Sequence, residues 1–355
     1  MARFFFWFLT LLMAALLASP GQAMAGGTTP KGCPLNDSHL HYVNFVQETM
    51  GMERLLEQMD SLEVEHSMLC GVPVVKKWDM DSPLRPVYYL DSDSRAYWYS
   101  ATDMIVARAI QALPREQQGR FHPYLCGFNP TDRNAIDHVT RMLEWYPGFW
   151  QGIGEIFLRH DDLTSNTYGE AARADNAALD PIYDLAARQD LPVLLHSNIG
   201  SVHLHEPIYL PELEKAVRSH PSTRFIWAHA GIGRRIEVKD LPGICDRLLT
   251  RYPNLSIDLT SHLYELYLAP GGRFDRSWIT VVEKHPGRFM VGSDVVGHFD
   301  DGYREHITRN YLVLDELSPA TREKVARTNF LAILPGWAGK NLLRPPSKGP
   351  GAGGK

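Results

Sequence analysis

The sequence lacks the features that define several large classes of protein. Its 355 residues include only four cysteines, and no Cys-x-x-Cys pair occurs, so we expect neither a dense disulfide framework nor a cysteine-based zinc site. Lysine and arginine number 36 against 41 aspartates and glutamates, and the formal net charge of -5 gives no electrostatic reason to expect a nucleic-acid partner. We therefore expect a globular protein that acts on a small molecule.

Long apolar runs are absent except at the N-terminus. There Arg3 precedes an apolar run that ends before an Ala-x-Ala site at Ala23 and Ala25, which predicts a signal peptide over residues 1–25. The alternative is a retained membrane anchor, but the apolar core is short for a bilayer span. No cysteine for lipid attachment stands at the junction. We expect a periplasmic or secreted protein, with no stable membrane insertion of the mature chain.

The four cysteines are scattered through the chain. They are Cys33, Cys70, Cys126 and Cys245, of which Cys70 and Cys126 lie in apolar runs and are expected to be buried thiols. Export would allow a disulfide, but the sequence does not define a pairing.

Short β-rich apolar runs alternate with amphipathic helical segments from Leu35 onward. About eight such units fit into about 260 residues, the size of a closed (β/α)8 TIM-type barrel of the α/β class. A doubly wound sheet is the alternative, but no glycine-rich turn follows the first strand. We predict a barrel domain over 34–335 with a C-terminal helical extension, then a disordered tail over 336–355.

Two segments near the start of the barrel carry specific predictions. The run "VEHSMLCGVPVV" (64–75) is predicted to be one strand, the second of the barrel. The aromatic connection that follows, "KKWDMDSPLRPVYYLDSDSRAYWY" (76–99), contains Asp, Pro and Ser breakers and is long enough to form a lid over the barrel mouth.

The stretch "NDSHLHYVNF" (36–45) contains Asp37, His39 and His41 at a spacing of two. On an extended strand these side chains point to one face, where the two histidines could bind a metal ion. Such a pair also arises by chance in a chain with 15 histidines. A second pair, His203 and His205, lies in a loop after the fifth strand, and we assign it a surface or substrate-loop role.

Polar residues stand at the ends of several other predicted strands, where barrel enzymes build their sites. Singly, each has a structural explanation: a hydrogen-bonded core histidine, an aspartate capping a helix, or a glutamate paired with an arginine. Their joint position favours a metal site. The candidate ligands are His39, His41, Glu155, His196 and Asp294.

Imidazole and carboxylate groups suit a divalent cation such as Zn²⁺, bound as one ion or as two. Water activated by the ion would attack a carbonyl carbon, and a carboxylate would accept the proton and pass it to the leaving group. Asp294 suits this catalytic role. His229 would polarise the substrate oxygen or bind a second ion.

The motifs "DSHLH", "GIGEI", "PVLLHSN", "FIWAHAG", "FMVGSD" and "RTNFLAIL" occur in this order between Asn36 and Leu334. In them the chain resembles the amidohydrolase superfamily, specifically the amidohydrolase-related branch that includes relatives of amino-carboxymuconate-semialdehyde decarboxylase. The resemblance implies a distorted barrel and a divalent metal, commonly zinc, with His229 assisting catalysis. It implies that the ion is held by His39, His41, His196 and Asp294, with Glu155 binding a second ion in some lines.

Three functions remain open for this chain. The resemblance implies a metal-dependent hydrolase of lactones, amides or esters, while the same branch also contains decarboxylases and hydratases, and a binding protein without turnover is the third reading. A TatD-type nuclease has similar motifs but closes with a Glu-Thr-Asp type motif, whereas this chain reads Gly292-Ser293-Asp294. Barrels of this branch often form homodimers, but the sequence identifies no interface.

Residues after the strands suggest how a substrate would be held. Arg159 follows strand four, Arg234 and Arg235 follow strand six, and His262 follows strand seven. We predict that one or more of these groups, with Trp78 of the 76–99 segment, binds a carboxylate-bearing small molecule. Salt bridges on the surface are an equally good explanation for each cation.

Overall fold

The computed structural model describes residues 34–160, 163–233, 235–260, 263–270 and 275–337. The predicted signal peptide and Cys33 lie outside the described residues. The same is true of Arg234, His262 and the tail beyond residue 337.

Eleven short strands are described, and eight of them are parallel and form the centre of the molecule. The described strands are β1 (Leu40–His41), β2 (Ser67–Leu69), β3 (Val74–Lys76), β4 (Ala96–Trp98), β5 (Phe121–Leu125), β6 (Gly152–Phe157), β7 (Val193–His196), β8 (Phe225–Trp227), β9 (Leu255–Asp258), β10 (Phe289–Met290) and β11 (Val295–Val296). Seven of them make one parallel sheet in the order β10-β9-β8-β7-β6-β5-β2. Most of their residues are buried, as expected for strands covered on both faces.

The first strand closes this sheet into a ring. On one side the Met68 amide donates to the Asp37 carbonyl, and on the other the Ser38 amide donates to the Val291 carbonyl just beyond β10. The short strand β11 then pairs in parallel with β1. The predicted (β/α)8 barrel is confirmed, with β1, β2 and β5 to β10 as its eight strands.

Amphipathic helices surround the barrel. They are α1 (Gly51–Ser61), α2 (Ala101–Gln111), α3 (Arg115–Gln118), α4 (Ala135–Trp145), α5 (Asp180–Arg188), α6 (Leu210–Ser219), α7 (Leu241–Arg251), α8 (Arg276–Lys284), α9 (Asp301–Arg309), α10 (Tyr311–Leu314), α11 (Pro319–Glu323) and α12 (Asn329–Ile333). In α8 the buried residues Trp278, Val281 and Val282 fall at i, i+3 and i+4, so they form one stripe that faces the core. A π-turn over Lys324–Thr328 joins α11 to α12 in the C-terminal extension.

The predicted second strand is wrong in its second half. Only β2 pairs within the barrel; β3 leaves it and pairs antiparallel with β4, with Val74 opposite Trp98. Gly71 and Pro73 separate the two strands, and proline cannot donate a ladder hydrogen bond. The 76–99 segment therefore contains the connection and the second strand of a β3–β4 hairpin.

Three of the cysteines can be placed. Cys70, Cys126 and Cys245 are buried free thiols, as predicted for the first two. Among the described helices, none combines the length and apolarity needed to cross a bilayer.

Asp37 connects the first strand, which carries His39 and His41, to the chain that follows the eighth strand. Its buried carboxylate accepts hydrogen bonds from the Ser293 amide (2.8 Å), the Ser293 hydroxyl (2.7 Å) and the His39 amide (3.2 Å). Burial raises the pKa of Asp37 to about 6, although these donors oppose the rise. A Cβ atom on Gly292 would lie 2.8 Å from this carboxylate and 2.7 Å from the His39 amide nitrogen. Glycine at 292 therefore allows the chain after β10 to approach the segment that contains Asp37 and His39.

Replacing Asp37 should weaken barrel closure. We expect Asp37→Ala to lower the free energy of unfolding of the metal-free protein by about 2–4 kcal/mol, because buried donors lose their acceptor. Ser38→Ala is the matched control, since the Ser38 hydroxyl makes a single 2.8 Å bond to the Val291 carbonyl and its loss should cost about 1 kcal/mol. Urea unfolding in EDTA measures both, and equal losses would contradict the role assigned to Asp37.

Candidate metal centre

The strand-end residues predicted as ligands meet at the carboxyl end of the barrel. Ligating atoms of His39, His41, Glu155 and Asp294 all lie within 4.8 Å of one another. The His39 Nε2 atom is 3.3 Å from Glu155 Oε2 and 3.5 Å from Asp294 Oδ1, and the His41 Nε2 atom is 3.1 Å and 3.6 Å from the same oxygens. Ligand atoms around one divalent cation with bonds near 2.0–2.2 Å are separated by roughly 3.0–3.6 Å. The spacing therefore fits one ion.

Both histidines of the pair are oriented through their other ring nitrogen. The Nδ1 atom of His41 lies 2.8 Å from the Gly71 carbonyl oxygen, which can only accept, so Nδ1 carries the proton. The Nδ1 atom of His39 lies 2.8 Å from Asp258 Oδ2 in the same way. In the neutral tautomer each Nε2 then offers a lone pair to the cluster.

The His39 Nε2 atom is the clearest indication that a cation belongs here. It is buried and makes no hydrogen bond, although the Glu155 oxygen is only 3.3 Å away. A buried polar atom without a partner is costly unless a ligand satisfies it. The residues present therefore fit a divalent cation.

A second group adjoins the first through the same carboxylates. Glu155 Oε1 lies 2.9 Å from His196 Nδ1 and 3.7 Å from His229 Nε2, while Asp294 Oδ2 lies 3.5 Å from His229 Nε2. Each carboxylate thus directs one oxygen to the His39 and His41 pair and the other to His229. The Nε2 atom of His196 is buried without a hydrogen-bond partner.

Sequence reasoning missed Asp258, which lies between the two groups at the end of β9. Its carboxylate accepts from the His229 amide (3.0 Å), from the Thr260 hydroxyl (2.7 Å) and from His39 Nδ1 (2.8 Å). Because the Thr260 hydroxyl donates to Asp258, it accepts from His229 Nδ1 at 2.7 Å, which leaves His229 Nε2 directed at the site. The strand-end rule applied to "LSIDLTS" would have found it.

His160 was also missed. It follows β6 in "FLRH" and stacks on the His196 ring with centroids 4.1 Å apart. Its Nδ1 atom is buried without a hydrogen bond. Burial, with the neighbouring His196, holds the pKa of His160 well below its usual value. The only signal in the sequence was its position three residues after the end of β6.

Charge in the cluster is balanced between imidazoles and carboxylates. Burial alone would lower the pKa of His39, but Glu155, Asp294 and Asp258 raise it well above its usual value. Burial alone would raise the pKa of Glu155, but His39 and His196 hold it well below its usual value. Without a cation, the raised pKa of His39 and the lowered pKa of Glu155 therefore favour opposite charges within the cluster.

The backbone is strained at two site residues. His229 and Asp294 both have φ of 54°, and Ala230 has φ of 49°. The left-handed region costs a non-glycine residue about 1–2 kcal/mol. Such strain concentrates at functional sites, where the surrounding contacts maintain it.

A cavity of about 350 Å³ opens onto these groups. Its described lining combines site residues with rings and apolar side chains, namely His41, Phe45, Tyr88, Tyr89, Glu155, Phe157, His160, His196, His229, Ile232, Gly233, Asp294, Val295, Val296, His298, Asp300, Gly302 and His306. The predicted substrate-binding residues Arg159, Arg235 and Trp78 are not part of this lining. Arg159 makes a two-point salt bridge to Glu212, at 3.0 and 2.7 Å.

A closed (β/α)8 barrel with imidazoles and carboxylates converging at its carboxyl end defines a class of metal-binding barrel enzymes. A model of the amidohydrolase family matches residues 158–335. The chain therefore belongs to the amidohydrolase family, and the resemblance seen in the sequence is confirmed. This is a family of enzymes. Among proteins with curated functions, none matches the chain.

Solved structures share the fold at low sequence identity. A probable 2-pyrone-4,6-dicarboxylic acid hydrolase from Acinetobacter baumannii is 12% identical with a TM-score of 0.53, covering 83% of this chain and 97% of the other. A 4-oxalomesaconate hydratase from Rhodopseudomonas palustris is 11% identical with a TM-score of 0.51, covering 85% and 95%. A dihydroorotase from Campylobacter jejuni is 16% identical with a TM-score of 0.50, covering 84% and 82%.

The charge balance predicts how stability depends on pH in the metal-free protein. The pKa values of His39 and His41 are raised in the folded state, so their contribution to stability is fully present below about pH 6.5 and is lost as the pH rises through the folded-state values. We expect the free energy of unfolding in EDTA to fall between pH 6.5 and 9, by up to about 1.4 kcal/mol per pH unit for each proton.

Urea unfolding across this pH range tests the expectation. The double variant His39→Ala/His41→Ala should lose most of the slope. The double variant His203→Ala/His205→Ala removes two exposed histidines instead and should keep it. A wild-type profile that stays flat from pH 6.5 to 9 would show that the imidazoles are not charged in the folded protein.

Proposed function

We propose that the protein is an exported metal-dependent hydrolase that cleaves a small carbonyl compound, such as a lactone, an amide or an ester. The observation that carries the proposal is the convergence of His39, His41, Glu155 and Asp294, with a buried His39 Nε2 atom that makes no hydrogen bond. Export is supported by the signal-peptide pattern of residues 1–25.

The cation would be held by His39, His41, Glu155 and Asp294, and zinc suits this mixture of nitrogen and oxygen donors. When bound, a divalent cation acts as a Lewis acid that makes water more acidic and polarises a carbonyl oxygen. Asp258 and the Gly71 carbonyl orient the two imidazoles. Water is kept from the rear of the cluster because His39 and Asp258 are fully buried.

Asp294 is the group best placed to move protons. Its side chain is 17% exposed, whereas that of Glu155 is 2% exposed. It also lines the cavity, so one of its oxygens can take a proton from attacking water and return it to the leaving group. His229 Nε2, oriented through Thr260, lies beside it and would bind or polarise the substrate oxygen.

The number of ions depends on the second group. Glu155 and Asp294 both face His229 with the oxygen that does not face His39 and His41, and His196 adds a further nitrogen. Glu155, His196, His229 and Asp294 would therefore be the residues that hold a second cation. One equivalent of metal would assign His196 and His229 to substrate and proton handling, and two would make them ligands.

Metal content is the first test of the proposal. We expect about one or two equivalents of a divalent cation in the purified mature protein, lost in His39→Ala/His41→Ala because two of the ligands are removed. The matched control is His203→Ala/His205→Ala, which removes the other His-x-His pair and should retain the metal. Elemental analysis after incubation with Zn²⁺ or Mn²⁺ provides the measurement. Wild-type protein that stays empty would exclude a metal-dependent reaction.

Isotope labelling distinguishes the hydrolase from a decarboxylase on the same site. In H₂¹⁸O, hydrolysis places one ¹⁸O atom in the acid product, whereas a lyase releases CO₂ from the substrate carboxylate. We expect ¹⁸O incorporation, and Asp294→Asn should lower kcat by about 100-fold or more because the proton acceptor is lost. Mass spectrometry of the products provides the readout. CO₂ release without ¹⁸O in the product would assign the protein to the lyases.

A further inference from the structure

The described part of the cavity lining contains no lysine or arginine. Its fixed charges are the carboxylates of Glu155, Asp294 and Asp300. A divalent cation at the metal centre would offset the first two, and Asp300 would remain. The other ionisable side chains of this lining are histidines and two tyrosines. Nothing in this part of the site provides the two-point contact by which a guanidinium binds a carboxylate.

Arg159, one of the side chains predicted to bind a substrate carboxylate, is already paired within the protein. Arg159 makes its two-point salt bridge to Glu212, and its guanidinium lies 3.9 Å from the ring centroid of Tyr209. Releasing it toward the cavity would break both contacts. The sequence predicted a substrate carboxylate bound by an arginine. The described lining residues include no arginine or lysine, and Arg159 is held by Glu212.

One wall of the cavity is instead a continuous set of rings. Phe45 contacts Tyr88 and Tyr89, with ring centroids 5.3 and 4.8 Å away. Tyr89 meets the His160 ring edge-on at 5.9 Å, and His160 stacks on His196. Phe157 packs beside His160 at 5.2 Å. The rings therefore lead from the hairpin segment to the metal centre without a charged side chain between them.

The hairpin segment that carries Tyr88 and Tyr89 is fixed in place. The buried ammonium of Lys76 donates to the carbonyl of Ser92 (2.6 Å) and to that of Ser94, which closes the base of the segment. Asp91 accepts from the amides of Val87 (2.9 Å) and Tyr88 (2.8 Å) and so shapes the turn around the two tyrosines. The ring wall is consequently a preformed surface.

We propose that this site selects an uncharged substrate with a planar or aromatic ring next to the scissile carbonyl, and that Phe45, Tyr88, Tyr89 and Phe157 receive the ring. The inference rests on the proposed hydrolase function and names its substrate class. Offset or edge-on contact with these rings adds to the burial of apolar surface. A di- or tricarboxylate would meet the carboxylates of the cavity without a compensating arginine or lysine in the described lining.

Two lactones and a dicarboxylate test the proposal on the metal-loaded enzyme. Isochroman-3-one and δ-valerolactone have the same six-membered lactone, and only the first carries a fused benzene ring. We expect kcat/KM to be about 10- to 100-fold higher for isochroman-3-one, because four additional ring carbons are buried. The third compound, 2-pyrone-4,6-dicarboxylate, should be the poorest substrate of the three.

The variants Phe45→Ala and Tyr89→Ala assign this preference to the ring wall. Each should reduce the ratio of kcat/KM for the two lactones about tenfold, while Tyr97→Ala should leave it unchanged. Tyr97 is the matched control because it lies on β4 of the same hairpin but is exposed and outside the cavity. The ratio does not depend on the fraction of correctly folded enzyme, and Tyr89→Leu provides a milder replacement.

The outcomes of these experiments separate the ring-binding proposal from the hydrolase proposal. A wild-type ratio near one, a preference for the dicarboxylate, or a ratio that Phe45→Ala and Tyr89→Ala leave unchanged would overturn the ring-binding proposal while hydrolysis stands. If none of the three compounds is hydrolysed, lactones of this kind are not substrates, and binding replaces turnover as the readout. Dissociation constants of the same compounds, measured by calorimetry, then decide the inference: tighter binding of isochroman-3-one, lost in Tyr89→Ala, supports it, and equal binding overturns it.

Discussion

The mutual compensation of buried imidazoles and carboxylates is the interaction on which this molecule depends. His39, Glu155 and Asp258 are almost completely buried, and an isolated charge at such a position would be very costly. Each is tolerated because its neighbours carry the opposite charge within about one hydrogen-bond length. A bound cation would replace the protons on the histidines as the source of positive charge. Metal binding and protonation therefore compete for the same atoms.

The barrel brings these groups together from distant parts of the chain. Asp37 and Ser293 are 256 residues apart in sequence, yet their hydrogen bonds fix the first strand beside the end of the eighth. His39 and Asp294 reach the cluster through this closure, since the Asp294 amide also donates to the His39 carbonyl at 2.7 Å. The left-handed backbone at Asp294 is maintained by the same contacts. Closing the fold and assembling the site are thus one structural event.

The sequence predicted the barrel and most of the polar residues that meet at its carboxyl end, because strand ends are marked by local pattern. An apolar run that stops at His196 or Asp294 identifies both a buried strand and a polar group at its carboxyl end. Asp258 also stands at a strand end and was overlooked there. Its role depends on which histidines lie across the barrel, and its own strand does not encode this. The hairpin was missed because Val74 and Val75 have the composition of any buried strand, and only tertiary pairing with Tyr97 and Trp98 distinguishes them.

The proposed substrate choice would depend on the part of the molecule that sequence pattern describes least. The candidate metal ligands stand on barrel strands or just after them. Tyr88 and Tyr89 instead belong to an irregular segment whose path is set by Lys76 and Asp91. A barrel can keep its chemistry while such segments change the walls around it. Because the ring wall touches His160, which stacks on His196, a ring bound there would lie against the metal centre itself. Recognition of the ring and positioning of the scissile carbonyl would then be a single binding event.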